Sequence, residues 1–349
     1  MAGDIRINGQ LMPRGQKTIV SVPVLTDLDD NQISLVIHAV VGAQPGPTLA
    51  LHTATHGSEW GTAEITRGVV ESLDPAEMSG ALLALPVANP IALSSRTRNL
   101  RDESDSPDLN RSFGGVQAWI ADQLGRAIAA TLYANADGVV DFHCGIWGST
   151  MGSVTCGRDF SDPTVSERAF RMARAFGLAH IRRSDVVTRF PGPKSGVGYA
   201  GETLRIPGII AEIGGMGFEP ELEQRWLEQN VQGVRGVLRE MGILPGKPTV
   251  ADRILIYDTV QRVNPTNGGF LEPVFPASEV MRREVQKGEL LGRVWSPYTF
   301  EVIEELRSPA RALVDMAPRD YPVRPGDWAY LTVDLDHPGA RWLEGDQLP

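Results

Sequence analysis

Thr48-Leu49-Ala50-Leu51-His52-Thr53-Ala54-Thr55-His56-Gly57-Ser58-Glu59-Trp60-Gly61-Thr62-Ala63-Glu64-Ile65 carries the chain from an apolar strand, across a short turn, into a helix. Residues 48–52 read as a buried strand, and apolar residues recur at helical spacing over 62–72. At the junction stand His56 and Glu59, an imidazole and a carboxylate three residues apart, placed where both can reach one metal ion. Zinc accepts that mixture of nitrogen and oxygen ligands, and a catalytic zinc needs one more protein ligand plus an open position for water. The setting adds to the signal, because ligands of open α/β sheets bind beyond the carboxyl ends of strands.

The flanking sequence repeats the alternation. Strands are expected at 18–24, 34–41, 81–87, 138–143 and 207–213, and helices at 115–135, 164–176 and 219–241, with a turn at 42–47 and a long polar loop over 89–110. This order predicts an α/β fold with a mixed, largely parallel sheet flanked by helices on both faces. Leu244-Pro245-Gly246-Lys247-Pro248 reads as a linker, after which short β-rich runs alternate with Gly and Pro turns and no helix is expected. The 349 residues therefore divide into an α/β domain over 1–246 and an all-β domain over 247–349. That division fits a prior of roughly 100–200 residues per domain.

Composition limits the function classes. No apolar stretch reaches the roughly 18–20 residues of a membrane helix, and Met1-Ala2-Gly3-Asp4-Ile5-Arg6 has no export-signal pattern. Cys144 and Cys156, the two cysteines, are too few for a disulfide framework, so a cytoplasmic location is expected. A net charge of −10 argues against nucleic-acid binding, although a pocket can be locally positive on an acidic protein. A homo-oligomer remains open.

Three further clusters fall at strand ends or in loops. Asp141-Phe142-His143 ends an apolar strand. Asp108-Leu109-Asn110-Arg111 closes a loop that also carries Arg96, Arg98 and Arg101, of which Arg96 reads as a solvated charge. Glu212 interrupts the apolar run Gly208-Ile209-Ile210-Ala211 and Ile213-Gly214-Gly215, and a charge there is costly unless it is paired or opens on a site. Together, and in this order, the clusters resemble the zinc carboxypeptidase superfold. More specifically, the chain resembles the succinylglutamate desuccinylase/aspartoacylase family of amidohydrolases. The family's H-x-x-E, D-L-N-R, D-x-H and E-x-G are here His56-Gly57-Ser58-Glu59, Asp108-Leu109-Asn110-Arg111, Asp141-Phe142-His143 and Glu212-Ile213-Gly214. The resemblance spans nearly the whole chain.

The resemblance implies that His56, Glu59 and His143 hold one Zn2+ per chain and leave a position for water. Glu212 would take the proton of the attacking water and deliver it to the leaving nitrogen. The oxyanion would meet Arg98 or Arg101; Arg98 is preferred, with Arg101 left to substrate binding. Asn110 and Arg111 resemble the pair that binds a substrate carboxylate, and Asp108 the acceptor that orients the ring of His56. Asp141 either acts on a ligand in the same way or is structural. Cys144, next to His143, is expected on the opposite face of its strand and is left out of the site. The C-terminal segment resembles a biotinyl/lipoyl-like barrel-sandwich, but its turn Arg307-Ser308-Pro309-Ala310-Arg311-Ala312 has no lysine to carry a prosthetic group. In the family an equivalent domain overhangs the zinc and narrows its approach. The expected activity is hydrolysis of a small N-acyl amino acid or related N-acyl amine. The alternatives are a zinc carboxypeptidase acting on peptides and a metal-free binding protein of the same fold.

Overall fold

The computed structural model describes residues 4–100, 107–145, 149–158, 160–185, 192–215, 219–319, 321–345 and 347. Its first part contains β1 (Gln16–Thr26), β2 (Gln32–Val41), β3 (Gln44–His52), β4 (Ser79–Leu85), β5 (Gly138–His143), β6 (Ser149–Arg158), β7 (His180–Asp185) and β8 (Gly208–Gly214). The helices are α1 (Thr62–Glu71), α2 (Ile120–Thr131), α3 (Pro163–Ala175), α4 (Gly196–Glu202) and α5 (Pro220–Glu240). The strands lie in the order β1-β2-β4-β3-β5-β8-β6. β3 runs parallel to β4 and β5, β5 runs parallel to β8, and β1, β2 and β6 make the antiparallel pairings.

The central strands are buried and mostly apolar because helices cover both faces. Alternation along them divides the core in two. Leu49, Leu51, Val140, Phe142, Ile209 and Ala211 pack toward α1, α3 and α5. Ala50, Val139 and Ile210 pack toward α2 and α4. The same alternation sends His52, Asp141, His143 and Glu212 to the α2/α4 side, and Cys144 and Ile213 to the other. β5 and β8 are in register there, with Glu212 directly opposite His143.

The strands after residue 250 include β9 (Arg253–Tyr257), β10 (Gln261–Val263), β11 (Gly269–Pro273), β12 (Leu290–Trp295), β13 (Val302–Arg307), β14 (Ala312–Pro318), β15 (Tyr321–Val323), β16 (Tyr330–Asp334) and β17 (Arg341–Glu344). Four of them, in the order β13-β12-β11-β15, form a separate antiparallel sheet. The others continue the large sheet: β9 lies parallel to β7, and β14 pairs with β6 through Met316 and Met151. A polar clasp reinforces that seam. Asp315 accepts from Ser153 Oγ at 3.2 Å and Tyr257 Oη at 3.3 Å. Arg282 donates to the Gly152 carbonyl at 3.2 and 2.9 Å, and its guanidinium lies 4.7 Å from the centre of the Trp226 ring.

Several local features differ from expectation. β6, β7 and α4 occupy stretches that carry no periodic signal. The helix expected over 115–135 is α2 followed by a 3-10 turn, Tyr133–Asn135. The polar loop after residue 89 begins as a short helix, Pro90–Ser95, and the region expected to be all-β holds a four-residue helix, Ala277–Val280. No helix among the described residues is long and apolar enough to cross a membrane.

Candidate metal and catalytic site

Beyond β3 the backbone reverses sharply. Ala54 adopts φ +48°, a left-handed setting unusual for a residue with a Cβ, and its N–H donates to Thr62 Oγ1 at 3.0 Å. The turn delivers His56 to a 3-10 segment, Gly57–Glu59, at the mouth of α1. Gly57 is required by contact: a Cβ there would sit 2.0 Å from the Ala92 carbonyl, because the Pro90–Ser95 helix packs directly on this backbone. On the other side, Gly214 follows Glu212 with φ +94° and accepts the Gly145 N–H at 2.9 Å, which ties the ends of β8 and β5 together.

His56, Glu59 and His143, drawn from these two places in the sequence, converge on one point. His56 Nδ1 lies 2.7 Å from Glu59 Oε1, and His143 Nδ1 lies 2.7 Å from Glu59 Oε2. One ligand atom from each of the three residues lies within 4.8 Å of the others, and all three residues are buried. Carboxylates face the outer ring nitrogens: His56 Nε2 is 2.9 Å from Asp108 Oδ1, and His143 Nε2 is 3.2 Å from Asp141 Oδ2. Asp108 also accepts the Asn110 N–H at 2.8 Å, capping the turn Leu109–Arg111.

The charges are consistent with a cation at that point. Burial pushes the Glu59 carboxyl up, but His56 and His143 outweigh it and hold the group well below the usual range. Burial likewise opposes ionisation of Asp108, and the contacts with His56, Arg98 and Arg111 overcome it. Burial would lower His143, yet Asp141 and Glu59 raise it well above an ordinary imidazole. Buried carboxylates are costly without compensation, and Glu59, Asp108, Asp141 and Glu212 crowd around two imidazoles and Arg98. A dication offsets that surplus, and the two nitrogens with one carboxylate form a donor set that zinc takes. Half-buried Glu212 is raised by burial, and Glu59 and Asp141 add to the rise against the pull of His143.

The remaining predicted residues are distributed unevenly. Arg98, about two-fifths exposed, reaches the rim of the cluster, 3.5 Å from Glu59 Oε1 and 3.3 Å from Asp108 Oδ2. Arg101 lies outside the described residues. Asn110 is buried, and its amide is occupied: Nδ2 is 3.2 Å from His143 Nε2, while Oδ1 accepts the Gly196 N–H at 3.0 Å. The sequence reading gives this amide to a substrate carboxylate; the structure turns it inward because α4 supplies the N–H it accepts. Arg111 is exposed and donates to the Asn110 carbonyl at 2.6 Å. Asp141 lies 3.2 Å from the ring of His143, where one of its two readings puts it. The sequence reading passes over His52, although an imidazole closing an apolar strand four residues before His56 is a signal of the same kind.

Residues 45–241, more than half of the chain, match the family model of the succinylglutamate desuccinylase/aspartoacylase catalytic domain. The chain belongs to this family. Members of the succinylglutamate desuccinylase/aspartoacylase family are hydrolases of the deacylase type. No curated protein sequence matches the chain significantly. Its fold is shared with a succinylglutamate desuccinylase/aspartoacylase from Rhodobacter sphaeroides, 22% identical over 95% of this chain and 98% of that one, TM-score 0.75. A succinylglutamate desuccinylase from Silicibacter sp. TM1040 is 21% identical over 95% and 99%, TM-score 0.78. The product-bound ectoine utilization protein EutE (DoeB) from Ruegeria pomeroyi is 22% identical over 94% and 98%, TM-score 0.77.

Proposed function

We propose that the protein is a zinc-dependent amidohydrolase that removes an acyl group from a small N-acyl amino acid or related N-acyl amine. The observation that carries this reading is the convergence of His56 Nδ1, His143 Nδ1 and the Glu59 carboxylate on one point, with Glu212 on the strand position opposite His143. A zinc ion held there supplies a Lewis acid that polarises an amide carbonyl and brings the pKa of water down toward about 7. Asp108 and Asp141 orient the two imidazoles from behind. Glu212 takes the proton of the attacking water and returns it to the leaving nitrogen, and its raised pKa suits both halves of that exchange. Arg98, at the rim, meets the negative charge that develops on the carbonyl oxygen. Arg111 receives a substrate carboxylate, while the inward-turned Asn110 is held by the Gly196 N–H. The β-rich segment over 247–349 limits access to small amides; its support is the clasp of Arg282 and Asp315 on Gly152 and Ser153, the part of β6 that pairs with β8 at Ile213 and Glu212.

Elemental analysis of the purified protein together with hydrolysis of acetyl, succinyl and formyl amino acids tests the reading. About one zinc per chain and release of free amine are expected. Less than about 0.3 zinc per chain, not restored by added metal, overturns it, and release of C-terminal residues from peptides in place of small amides overturns the substrate class.

A further inference from the structure

We propose that Tyr133 and His52, acting through Asp141, form a buried positioning relay that presents His143 to the metal; the inference rests on the zinc reading above. Tyr133 Oη lies 2.7 Å from His52 Nε2, and His52 Nδ1 lies 3.2 Å from Asp141 Oδ1. The other oxygen of that carboxylate faces His143 Nε2 at 3.2 Å. Thr55 Oγ1 donates to Asp141 Oδ1 at 3.3 Å and lies 3.2 Å from His52 Nδ1, so its hydroxyl bridges the imidazole and the carboxylate. His52, Thr55, Asp141 and Tyr133 are at most 1% exposed, so water does not substitute for any link.

The direction of the chain follows from its ends. An ionised carboxylate only accepts, so Thr55 gives it the hydroxyl proton, and His52, facing both oxygens, carries its own proton on Nδ1. Burial keeps this imidazole neutral, which leaves Nε2 bare and makes Tyr133 the donor. Burial likewise holds the phenol protonated. Asp141 Oδ2, which has no hydrogen-bond partner among the described residues, faces Nε2 of His143 and would accept its proton once Nδ1 is given to a metal; Asn110 Nδ2, 3.2 Å from the same nitrogen, would then turn aside. The packing around the first link is close. Tyr133 stacks on Phe113 at 5.7 Å and 14°, and a Cβ on Gly196 would lie 2.7 Å from Tyr133 Oη and 3.3 Å from His52 Nε2. The relay therefore joins the turn after α2 to the ends of β3 and β5, and carries the orientation of a helix terminus to a ligand.

Core packing alone predicts that loss of the phenol hydroxyl lowers stability and leaves metal binding unchanged. The relay predicts a change in the metal. Tyr133→Phe keeps the ring stack and removes one hydroxyl; zinc Kd, measured by competition with a chromophoric chelator, is expected to rise about tenfold, near the lower end of what outer partners of metal-bound histidines contribute. The visible absorption of the cobalt(II)-substituted protein should shift in the same variant. His52→Gln should weaken zinc at least as much. Because the effect passes through Asp141, Tyr133→Phe added to Asp141→Asn should cost nothing beyond Asp141→Asn alone. Unchanged zinc Kd and cobalt spectrum in Tyr133→Phe, with only the melting temperature of the metal-free protein lowered, would overturn the relay and leave the zinc reading intact. A wild-type protein that binds no zinc would remove both.

Discussion

Glu212 stands opposite His143 on the neighbouring strand, where burial and the charges of Glu59 and Asp141 favour its protonated form and His143 opposes them. A carboxyl balanced in this way can accept a proton and release it within one turnover. Glu212→Gln preserves shape and removes the exchange, so zinc content should stay at the wild-type level while kcat falls by at least about a hundredfold; unchanged turnover would contradict the assignment. Arg111→Ala tests the other end of the substrate. Loss of a charge-assisted contact is expected to raise KM for carboxylate-bearing amides by about ten- to a hundredfold, and an equal rise for neutral amides would show that Arg111 acts elsewhere. The residues proposed for these roles were legible because their types are conspicuous in context: a carboxylate inside the apolar run 208–213, and an imidazole closing 138–143. The inward turn of Asn110 was not legible, since it depends on an N–H from Gly196, 86 positions away in sequence.

Whole elements were legible where periodicity and burial agree. β5 carries apolar side chains up to Asp141 and has the bounds its sequence predicts. β6 is as buried as its neighbours, yet Ser149, Thr150, Ser153 and Thr155 give it no apolar pattern; Ser153 is accepted in the interior because Asp315 takes its hydroxyl hydrogen bond. α4 contains three glycines and carries no periodic signal. A Cβ on Gly198 would lie 1.9 Å from the Gly192 carbonyl, so close packing, and the Ser195 cap, set the helix in place of intrinsic propensity. β7 contains Arg182 and Arg183 and carries no periodic signal, but it is enclosed between β6 and β9, and its His180 bears a cost. Burial, assisted by the charge of Arg282, lowers that imidazole from 6.5 to about 4. The unfolded chain then binds the proton first, so the stabilisation is complete above pH 6.5 and is lost as pH falls toward 4, by up to about 3 kcal/mol. Denaturation of His180→Gln across this range should show a flatter decline than the wild type. Parallel curves would mean that His180 does not set the slope.

At the scale of the molecule, the strands after residue 250 extend the large sheet through β7 and β6 as well as forming a sheet of their own. A boundary near residue 246 is visible in composition, whereas these pairings join residues distant in sequence and leave no local trace. The seam bears on β6 at Gly152 and Ser153, one strand from Glu212, so both parts of the chain brace the strand beside that carboxylate. Metal binding should also be felt by the whole fold, because a ligand held only by the folded state stabilises it. The central claim is that zinc at His56, Glu59 and His143 enables hydrolysis of small N-acyl amines. It is tested most directly by stripping the protein with a chelator and following amine release from a productive N-acyl amino acid as zinc is returned. Negligible release from the stripped protein and a rise that levels at one zinc per chain are expected; undiminished release after stripping, or none at any zinc level across the acyl series, would rule the zinc chemistry out.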